Sequence, residues 1–272
     1  MQHFSASPKE FFASPWRHRA LIRSLVVREV MGRYRGSVLG LSWAFFHPVL
    51  MLTVYTFVFS VVFKARWNTG SDSRVEFALA LYAGLLVFNL FSECITRAPS
   101  VIVSNTNYVK KVIFPLEVLP WVNLGAALFH GLVSLAVWLL FYLVVYGVPH
   151  ATVLLLPLVV APFALMLVGI SLMLASLGVY LRDVGQVVAL STTVLMFLSP
   201  VFYPVSALPE QFRLLMHLNP LTPVIELARQ VLMWGQLPDM GLYAAYVLGC
   251  LVCAFLGFAW FQTTRQGFAD VL

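Results

Sequence analysis

The sequence predicts an all-α polytopic membrane protein, and two observations lead to this fold class. Of the 272 residues, 61% are hydrophobic and only 10% are charged, whereas a soluble domain carries about 25% charged residues. Apolar runs long enough to cross a bilayer as a helix, roughly 20 residues each, recur through the chain and leave no room for a separate soluble domain. We therefore expect an N-terminal region at 1–38, one membrane domain at 39–262 and a short tail at 263–272.

Six apolar runs mark the expected transmembrane helices. The first is too long for the apolar part of a secretory signal. Cytoplasmic loops carry an excess of Lys and Arg, and with both termini inside, twelve of the 17 Lys and Arg residues face the cytoplasm. Both termini are therefore expected to be cytoplasmic, and the net charge of +6 suits an anionic leaflet rather than a nucleic acid. The runs lie at 39–63, 77–96, 119–146, 153–180, 187–203 and 242–261.

The N-terminal region contains a segment, residues 17–35, that is expected to form a helix in the cytoplasmic interface. Leu21, Ile22, Leu25 and Val26 cluster at helical spacing, and several arginines lie on another side. Long Arg side chains can reach lipid headgroups from such a position while the apolar residues face the membrane. The alternative is that the arginines only fix the orientation of the first span.

A proline-rich segment after the fifth apolar run indicates a break in the membrane domain. Proline at these intervals does not allow one continuous helix, so we expect two short helices, Glu210–Leu218 and Pro223–Trp234, that re-enter the outer face of the membrane. Interrupted backbone at that depth is tolerated only where it is buried in protein or faces water. The segment therefore predicts the mouth of a pore or cavity. The prolines are Pro200, Pro204, Pro209, Pro220 and Pro223.

The sequence offers no source of energy for transport within this chain. The phosphate-binding loop G-x-x-x-x-G-K-[ST] does not occur in it, so ATP is not bound in that way. Ion-driven carriers bury charged residues in their spans, whereas Glu93, near the inner end of the second run, is expected to pair with Arg97 one turn later. His47 and His130 are expected to be packed and hydrogen-bonded. These features predict a pore that takes its energy from another subunit.

Three segments resemble one family of membrane proteins. The first, RYRGSVLGLSW at 33–43 followed by Pro48, resembles the entry to the first span of ABC-2 type permeases that export polysaccharides. The segments SPVFYP at 199–204 and NPLTP at 219–223 resemble the outer end of the same proteins. The likeness extends over nearly the whole chain. The permeases of O-antigen exporters are the nearest likeness, and those of capsule and teichoic-acid exporters come next.

The resemblance implies an assembly of several subunits. It implies a homodimer of this chain in a bacterial inner membrane, with two copies of a separate ABC ATPase that binds ATP and Mg²⁺. The substrate would be a lipid-linked glycan, and no cofactor or metal is expected in this chain itself. The coupling candidates, which would contact the ATPase, are Arg28, Lys110, Lys111, Arg182 and Asp183, together with Arg33 and Arg35.

A lipid pyrophosphate on the substrate, which the resemblance also implies, would need cationic side chains near the inner face. Arginine binds phosphate strongly because it can donate two parallel hydrogen bonds. Arg33 and Arg35 lie just before the first span. They are therefore the candidates for the pyrophosphate.

Aromatic side chains recur on the first run and at the proline-rich break. Flat aromatic faces could hold the apolar faces of sugars through weak, repeated contacts, as conduction through several weak sites requires. The alternative is that these side chains pack against lipid or neighbouring helices. The candidates for a substrate channel are Trp43, Phe46, Tyr55, Phe59, Phe63, Phe197, Phe202 and Tyr203.

Two other functions remain open on the sequence. One is an ABC-2 permease for a small hydrophobic compound, which would differ in having a closed cavity rather than an open aromatic channel. The other is a membrane-embedded transferase acting on a polyprenyl-linked sugar, which would need acidic or His/Asp residues converging at one interface. The acidic residues outside the runs form no such pattern, so we expect a transport subunit and not an enzyme.

Overall fold

The computed structural model describes residues 7–62, 74–109 and 114–272, and within these ranges it contains helices and connecting turns but no β-strand. Phe63, Lys110 and Lys111 lie outside the described residues. The helices are α1 Pro8–Arg17, α2 Arg19–Tyr34, α3 Trp43–Thr56, α4 Arg74–Arg97, α5 Thr106–Val109, α6 Val118–Tyr146, α7 Leu156–Tyr180, α8 Val184–Phe197, α9 Glu210–Leu218, α10 Leu221–Leu232, α11 Met240–Thr264 and α12 Phe268–Val271.

Five helical segments of the described chain are long and apolar enough to cross a membrane. They match the first, second, third, fourth and sixth predicted runs. The inner end of each is the end on the predicted cytoplasmic side, and the outer end is the opposite one. The segments are Gly40–Phe59, Val75–Ser100, Val118–Tyr146, Ala151–Tyr180 and Met240–Gly267.

The predicted fifth span, at 187–203, has a different form. Its helix α8 contains 14 residues, which gives a length of about 21 Å, whereas the hydrocarbon core of a bilayer is about 30 Å thick. The chain leaves the helix at Leu198 because Pro200 and Pro204 cannot continue it. A sixth crossing therefore remains a prediction.

The N-terminal helices pack against the inner part of the bundle. Phe11 of α1 is buried, and its ring lies 5.4 Å from Phe258 and 5.7 Å from Trp121. Helix α2 packs along α6, where the absence of a side chain at Gly125 leaves room for Val26. The expected helix over 17–35 is thus interrupted at His18 and continues as α2. Its place in the membrane interface remains a prediction.

Helix α4 lies at the centre of the molecule, with α3, α6, α7, α8 and α10 packed around it. Its residues Ala78 to Ala83 are almost completely buried. Helices α7 and α11 approach each other closely at Gly169 and Gly257, where an added Cβ would overlap the backbone of the opposite helix. Small residues permit such contact between helices in membranes.

The proline-rich segment forms two short helices after α8. Helix α9 has the bounds that the sequence predicts, and α10 begins two residues before Pro223 and ends two residues before Trp234. Nine of the twelve residues of α10 are buried, and the helix packs against α4 and α7. Re-entry of these two helices into the outer face of the membrane remains a prediction.

Candidate functional site

Four aromatic candidates from two distant parts of the sequence lie in one row at the predicted outer end. The rings of Tyr55 and Phe59 are 6.4 Å apart on the outer part of α3 and its extension. Phe59 stacks on Phe202 at 5.9 Å, and Phe202 stacks on Phe197 at 5.9 Å. We define Tyr55, Phe59, Phe202 and Phe197 as the outer aromatic row.

The local backbone explains how the row forms. Beyond Thr56, α3 continues as a π-helix over Phe57–Val62, and this wider turn is a local irregularity often found at functional sites. On the other side, the proline-broken turn after α8 carries Phe202 back toward α3. The hydroxyl of Tyr203 donates to the carbonyl of Phe197 at 2.7 Å, which fastens the turn to the end of α8.

The remaining channel candidates lie elsewhere. Trp43 and Phe46 are half-exposed at the inner end of α3, and Phe46 is separated from Tyr55 by about 14 Å along the helix. The ring of Phe46 lies next to that of Phe45, 6.2 Å away. The sequence thus predicts one continuous aromatic track, whereas the described part of the chain shows an outer row and a separate inner pair.

A cluster of ion pairs joins α2 to α4 and α6 at the inner end. Arg33 donates to Glu93 at 2.6 Å, and His130 lies 3.0 Å from both Arg33 and Glu93. One helical turn away, Arg97 donates to Glu29 at 2.8 Å. Because α2 and α4 run in opposite directions here, the two pairs form a short ladder, which we call the inner ion-pair ladder.

The ladder corrects one prediction and bears on another. Glu93 and Arg97 were expected to pair with each other along α4, but each bonds to α2 instead, because the packing of α2 brings it closer partners. The predicted hydrogen bonding of His130 is confirmed, whereas His47 is exposed in the described chain.

The two pyrophosphate candidates have different surroundings. Arg33 is already bonded to a carboxylate, so a phosphate would have to compete with Glu93 for it. Arg35 is exposed at the end of α2. Its neighbour Gly36 has a φ of 83°, a value that suits glycine, and this residue turns the chain toward α3. Of the two, Arg35 is therefore the one that can reach a ligand without breaking a bond.

The described coupling candidates occupy two places at the predicted inner end. Arg28 donates to the hydroxyl of Tyr108 at 3.0 Å, and the ring of Tyr108 stacks on Phe114 at 4.2 Å, so α2 is tied to the loop between the second and third spans. Arg182 and Asp183 are exposed between α7 and α8. Both places leave charged side chains accessible to a partner.

A further ion pair lies at the inner end, outside the ladder, and was not predicted from the sequence. Arg265, at the end of α11, donates to Glu117 at 2.7 Å, and the same carboxylate accepts from Ser14 of α1 at 3.0 Å. The carboxylate of Glu117 thus joins three segments that are far apart in the sequence. No periodicity in the sequence indicates such a contact.

Arg229, which is fully buried in α10, was not predicted from the sequence either. It donates to the carbonyls of Ala80 at 2.9 Å and Val201 at 2.7 Å, and also to that of Pro200. Burial lowers the pKa of Arg229 to about 10, so the side chain remains charged at neutral pH. A charged residue within an apolar helical face was the signal in the sequence, but the prediction of a short helix over Pro223–Trp234 gave Arg229 no role.

An apolar cavity of about 650 Å³ lies between α4, α6, α7 and α10. Its lining includes Leu90, Leu128 and Val160, and none of the described residues that line it is charged. Sugars carry hydroxyl groups that need hydrogen-bond partners when buried. The cavity therefore suits hydrocarbon and not a glycan.

Comparison with known proteins extends over most of the chain. The O-antigen export system permease protein RfbA of Myxococcus xanthus is 29% identical over 257 residues, which cover 94% of this chain and 96% of that protein. RfbA of Klebsiella pneumoniae is 26% identical over 90% of this chain and 92% of its own length. The polysialic acid transport protein KpsM of Escherichia coli is 26% identical over 91% of this chain and 95% of its own length.

A family model covers the part of the chain that contains both the inner ion-pair ladder and the outer aromatic row. The model describes the ABC-2 type transporter and matches residues 20–233. The matched range runs from the start of α2 to the residue after α10 and is well over half of the chain. The chain is therefore a multi-pass membrane protein that belongs to the ABC-2 type transporter family.

Proposed function

We propose that this chain is the membrane permease subunit of an ATP-driven exporter that moves a lipid-linked polysaccharide, of the O-antigen class, across the bacterial inner membrane. The observation that carries the proposal is the match to permeases named for O-antigen export over nine-tenths or more of both chains. A match of that extent leaves at most about a tenth of either chain unaligned. The relatives are named as permease and transport proteins, which supports a transport subunit rather than an enzyme.

The outer aromatic row supports a polymer as the substrate. Its rings are spaced 5.9 to 6.4 Å apart from α3 to the turn after α8. Successive aromatic faces offer similar surfaces to successive sugars, so a chain could move from one to the next without a tight bond at any of them. Trp43 and Phe46 would contribute at the inner entrance.

We propose that two copies of this chain act together with two copies of an ABC ATPase. Helix α3 supports the dimer: most of its span is unburied in the single chain, with large apolar side chains exposed from Trp43 to Phe57. Helix α8 is similarly exposed, at Val187, Leu190 and Phe197 among others. Facing pairs of these helices would enclose a path lined by aromatic rings.

Energy would enter from the cytoplasmic side, where both termini are proposed to lie. ATP and Mg²⁺ would bind to the ATPase, and the coupling candidates Arg28, Arg182 and Asp183 would receive its movement. Lys110 and Lys111 belong to the same proposal but lie outside the described residues. An energy source can shift the permease only by favouring one of its conformations over another.

A capsular polysaccharide is the second candidate substrate, because a polysialic acid transport protein aligns over 91% of this chain. A small hydrophobic compound has the apolar cavity between α4 and α7 in its favour. The two candidates differ in the part of the protein that they need, since only a polymer requires the outer aromatic row.

The test is to express this chain in cells with and without its ATPase subunit, and to measure both glycan on the cell surface and ATP hydrolysis. We expect surface glycan only when both proteins are present, and none when the phosphate-loop lysine of the ATPase is replaced. Glycan that appears with this chain alone would contradict the proposal. Chemical analysis of the displayed glycan then separates O-antigen from capsule.

A further inference from the structure

Among the side chains that the structure describes, Arg229 is the one charged residue that is fully buried. Its guanidinium is held by backbone carbonyls from two other parts of the chain. The Nε atom donates to Ala80 in the middle of the outer half of α4, while Nη1 and Nη2 donate to Pro200 and Val201. The side chain therefore connects α10, α4 and the turn after α8.

The turn that Arg229 holds is also fastened to α8 by the hydroxyl of Tyr203, which donates to Phe197, but this bond does not involve the carbonyls of Pro200 and Val201. Pro200 and Pro204 lack an N–H group, so the segment between them forms no regular helical hydrogen bonds. The buried carbonyls of Pro200 and Val201 still need donors, and the planar fork of an arginine can serve several carbonyls in fixed directions, which a lysine cannot. Phe202, the next residue, belongs to the outer aromatic row.

The surface of α4 leaves room for this side chain. At Gly84 an added Cβ would lie 2.6 Å from Nη2 of Arg229, the nitrogen that donates to Val201. Glycine at this position therefore leaves the space beside α4 that the guanidinium occupies. Glu226, 3.4 Å away and partly exposed, supplies the balancing charge.

Stability alone does not account for a buried arginine. Burying an ion pair is costly, and well-packed apolar residues often serve as well or better. The arrangement of donors therefore has a more specific consequence, which is to fix the position of the turn that carries Phe202.

We propose that Arg229 is a positioning residue of the outer mouth: it pins the turn at 200–202 to α4 and so keeps Phe202 stacked between Phe59 and Phe197. The outer mouth is the opening beside the outer aromatic row. It is narrow while Arg229 is bonded to the turn at 200–202, and it widens when these hydrogen bonds break. This inference rests on the proposed function only where it assumes that the substrate leaves beside the outer aromatic row. The pinning itself can be measured without any substrate.

The experiment follows a thiol reporter at the buried position 201. Val201→Cys is introduced with Cys253→Ser, because Cys253 is exposed whereas Cys94 and Cys250 are buried. The protein, reconstituted in lipid nanodiscs, is treated with a membrane-impermeant maleimide. With Arg229→Met we expect the rate of labelling to rise by about tenfold or more, the factor that corresponds to losing one hydrogen bond to a charged group. An unchanged rate would overturn the inference.

Two further variants separate positioning from general unfolding. Gly84→Ala keeps the arginine but displaces its Nη2, and it should raise the labelling rate in the same direction; Gly249→Ala, on α11, has nothing within 4 Å of the added Cβ and should not. If Arg229→Met does not accumulate, Gly84→Ala decides the question. Arg229→Lys keeps the charge without the fork, so full restoration of slow labelling by lysine would contradict the role of the three carbonyls.

Export is measured on the same variants in cells that contain the ATPase. If the unsubstituted chain exports no glycan but the labelling rates change as expected, the proposed function fails and the positioning role stands. If the unsubstituted chain exports glycan and the labelling rates do not respond to Arg229→Met or Gly84→Ala, the positioning role fails alone.

Discussion

Glu93 has hydrogen-bonding partners on two other helices, and its surroundings differ from those of Glu29 in the same ladder. The Glu93 side chain is 19% exposed and contacts both Arg33 and His130, whereas that of Glu29 is 47% exposed and contacts Arg97. Partial burial weakens screening by water, so the two rungs of the ladder should contribute differently to stability.

Glu93→Gln should lower the free energy of unfolding by about 1–3 kcal/mol, because Arg33 loses a charged acceptor at a partly buried site. Glu29→Gln serves as the matched control and should cost less than about 1 kcal/mol, as exposed ion pairs do. Thermal unfolding of the two purified variants in the same detergent measures the difference. Equal losses would show that burial does not distinguish the two rungs.

Arg33 and Arg35 can be separated by the same approach, since only Arg33 belongs to the ladder. We expect Arg35→Gln to reduce glycan export without a change in melting temperature, and Arg33→Gln to lower both. The measurement pairs surface glycan with thermal unfolding for each variant. Unchanged export in the double variant would exclude both residues as pyrophosphate ligands.

At the scale of helices, the contact between α7 and α11 depends on residues without side chains. Gly169 lies against Ala254 and Gly257 lies against Gly169, so the two backbones touch. In a bilayer the attraction between helices comes largely from such close packing, because lipid is as apolar as the helices themselves.

Gly257→Ala should destabilise the protein by about 1–3 kcal/mol, the usual cost of inserting a methyl group into a tightly packed contact. Gly249→Ala on the same helix is the control, because its added methyl group meets open space. Unfolding in detergent, followed by the loss of monodisperse protein on heating, measures both. If the two substitutions behave alike, the backbone contact is not the cause of stability here.

At the scale of the whole molecule, a path for a polymer requires residues from different helices to be in line. The outer aromatic row meets this requirement with side chains from α3, from the end of α8 and from the turn that follows. Phe59 is central to it, because its ring contacts Tyr55, Phe77 and Phe202.

Phe59→Ala should reduce surface glycan several-fold while leaving the amount of protein in the membrane unchanged, because the row would lose its central face. Trp260→Ala removes a half-exposed aromatic side chain of α11, outside the row, and should have little effect on export. Surface glycan normalised to membrane-embedded protein is the measurement. Normal export by Phe59→Ala would contradict an aromatic path at this position.

Much of the architecture follows from the sequence, because it depends on interactions along the chain. Five of the predicted runs coincide with helices that could cross a membrane, since apolar length and the need to satisfy the backbone within each segment are local properties. The bounds of α9 are also set by neighbouring residues, because prolines limit where a helix can continue. The end of α8 at Phe197 was missed, although the same prolines explain it.

The sequence by itself determined that the chain is apolar beyond its N-terminal region, helical, broken near its outer end, and supplied with aromatic side chains on both sides of that break. Only the tertiary structure decided which residues contact each other: Phe59 with Phe202, Arg33 with Glu93, and Arg229 with the carbonyls of Pro200 and Val201. The physical reason is that hydrophobicity and proline act on neighbouring residues, whereas ion pairs and ring contacts depend on which helix faces pack together. Helix faces pack together where their surfaces fit closely, as Arg229 fits against Gly84. The reason for a glycine at position 84 is therefore clear only once the residue packed against it is known.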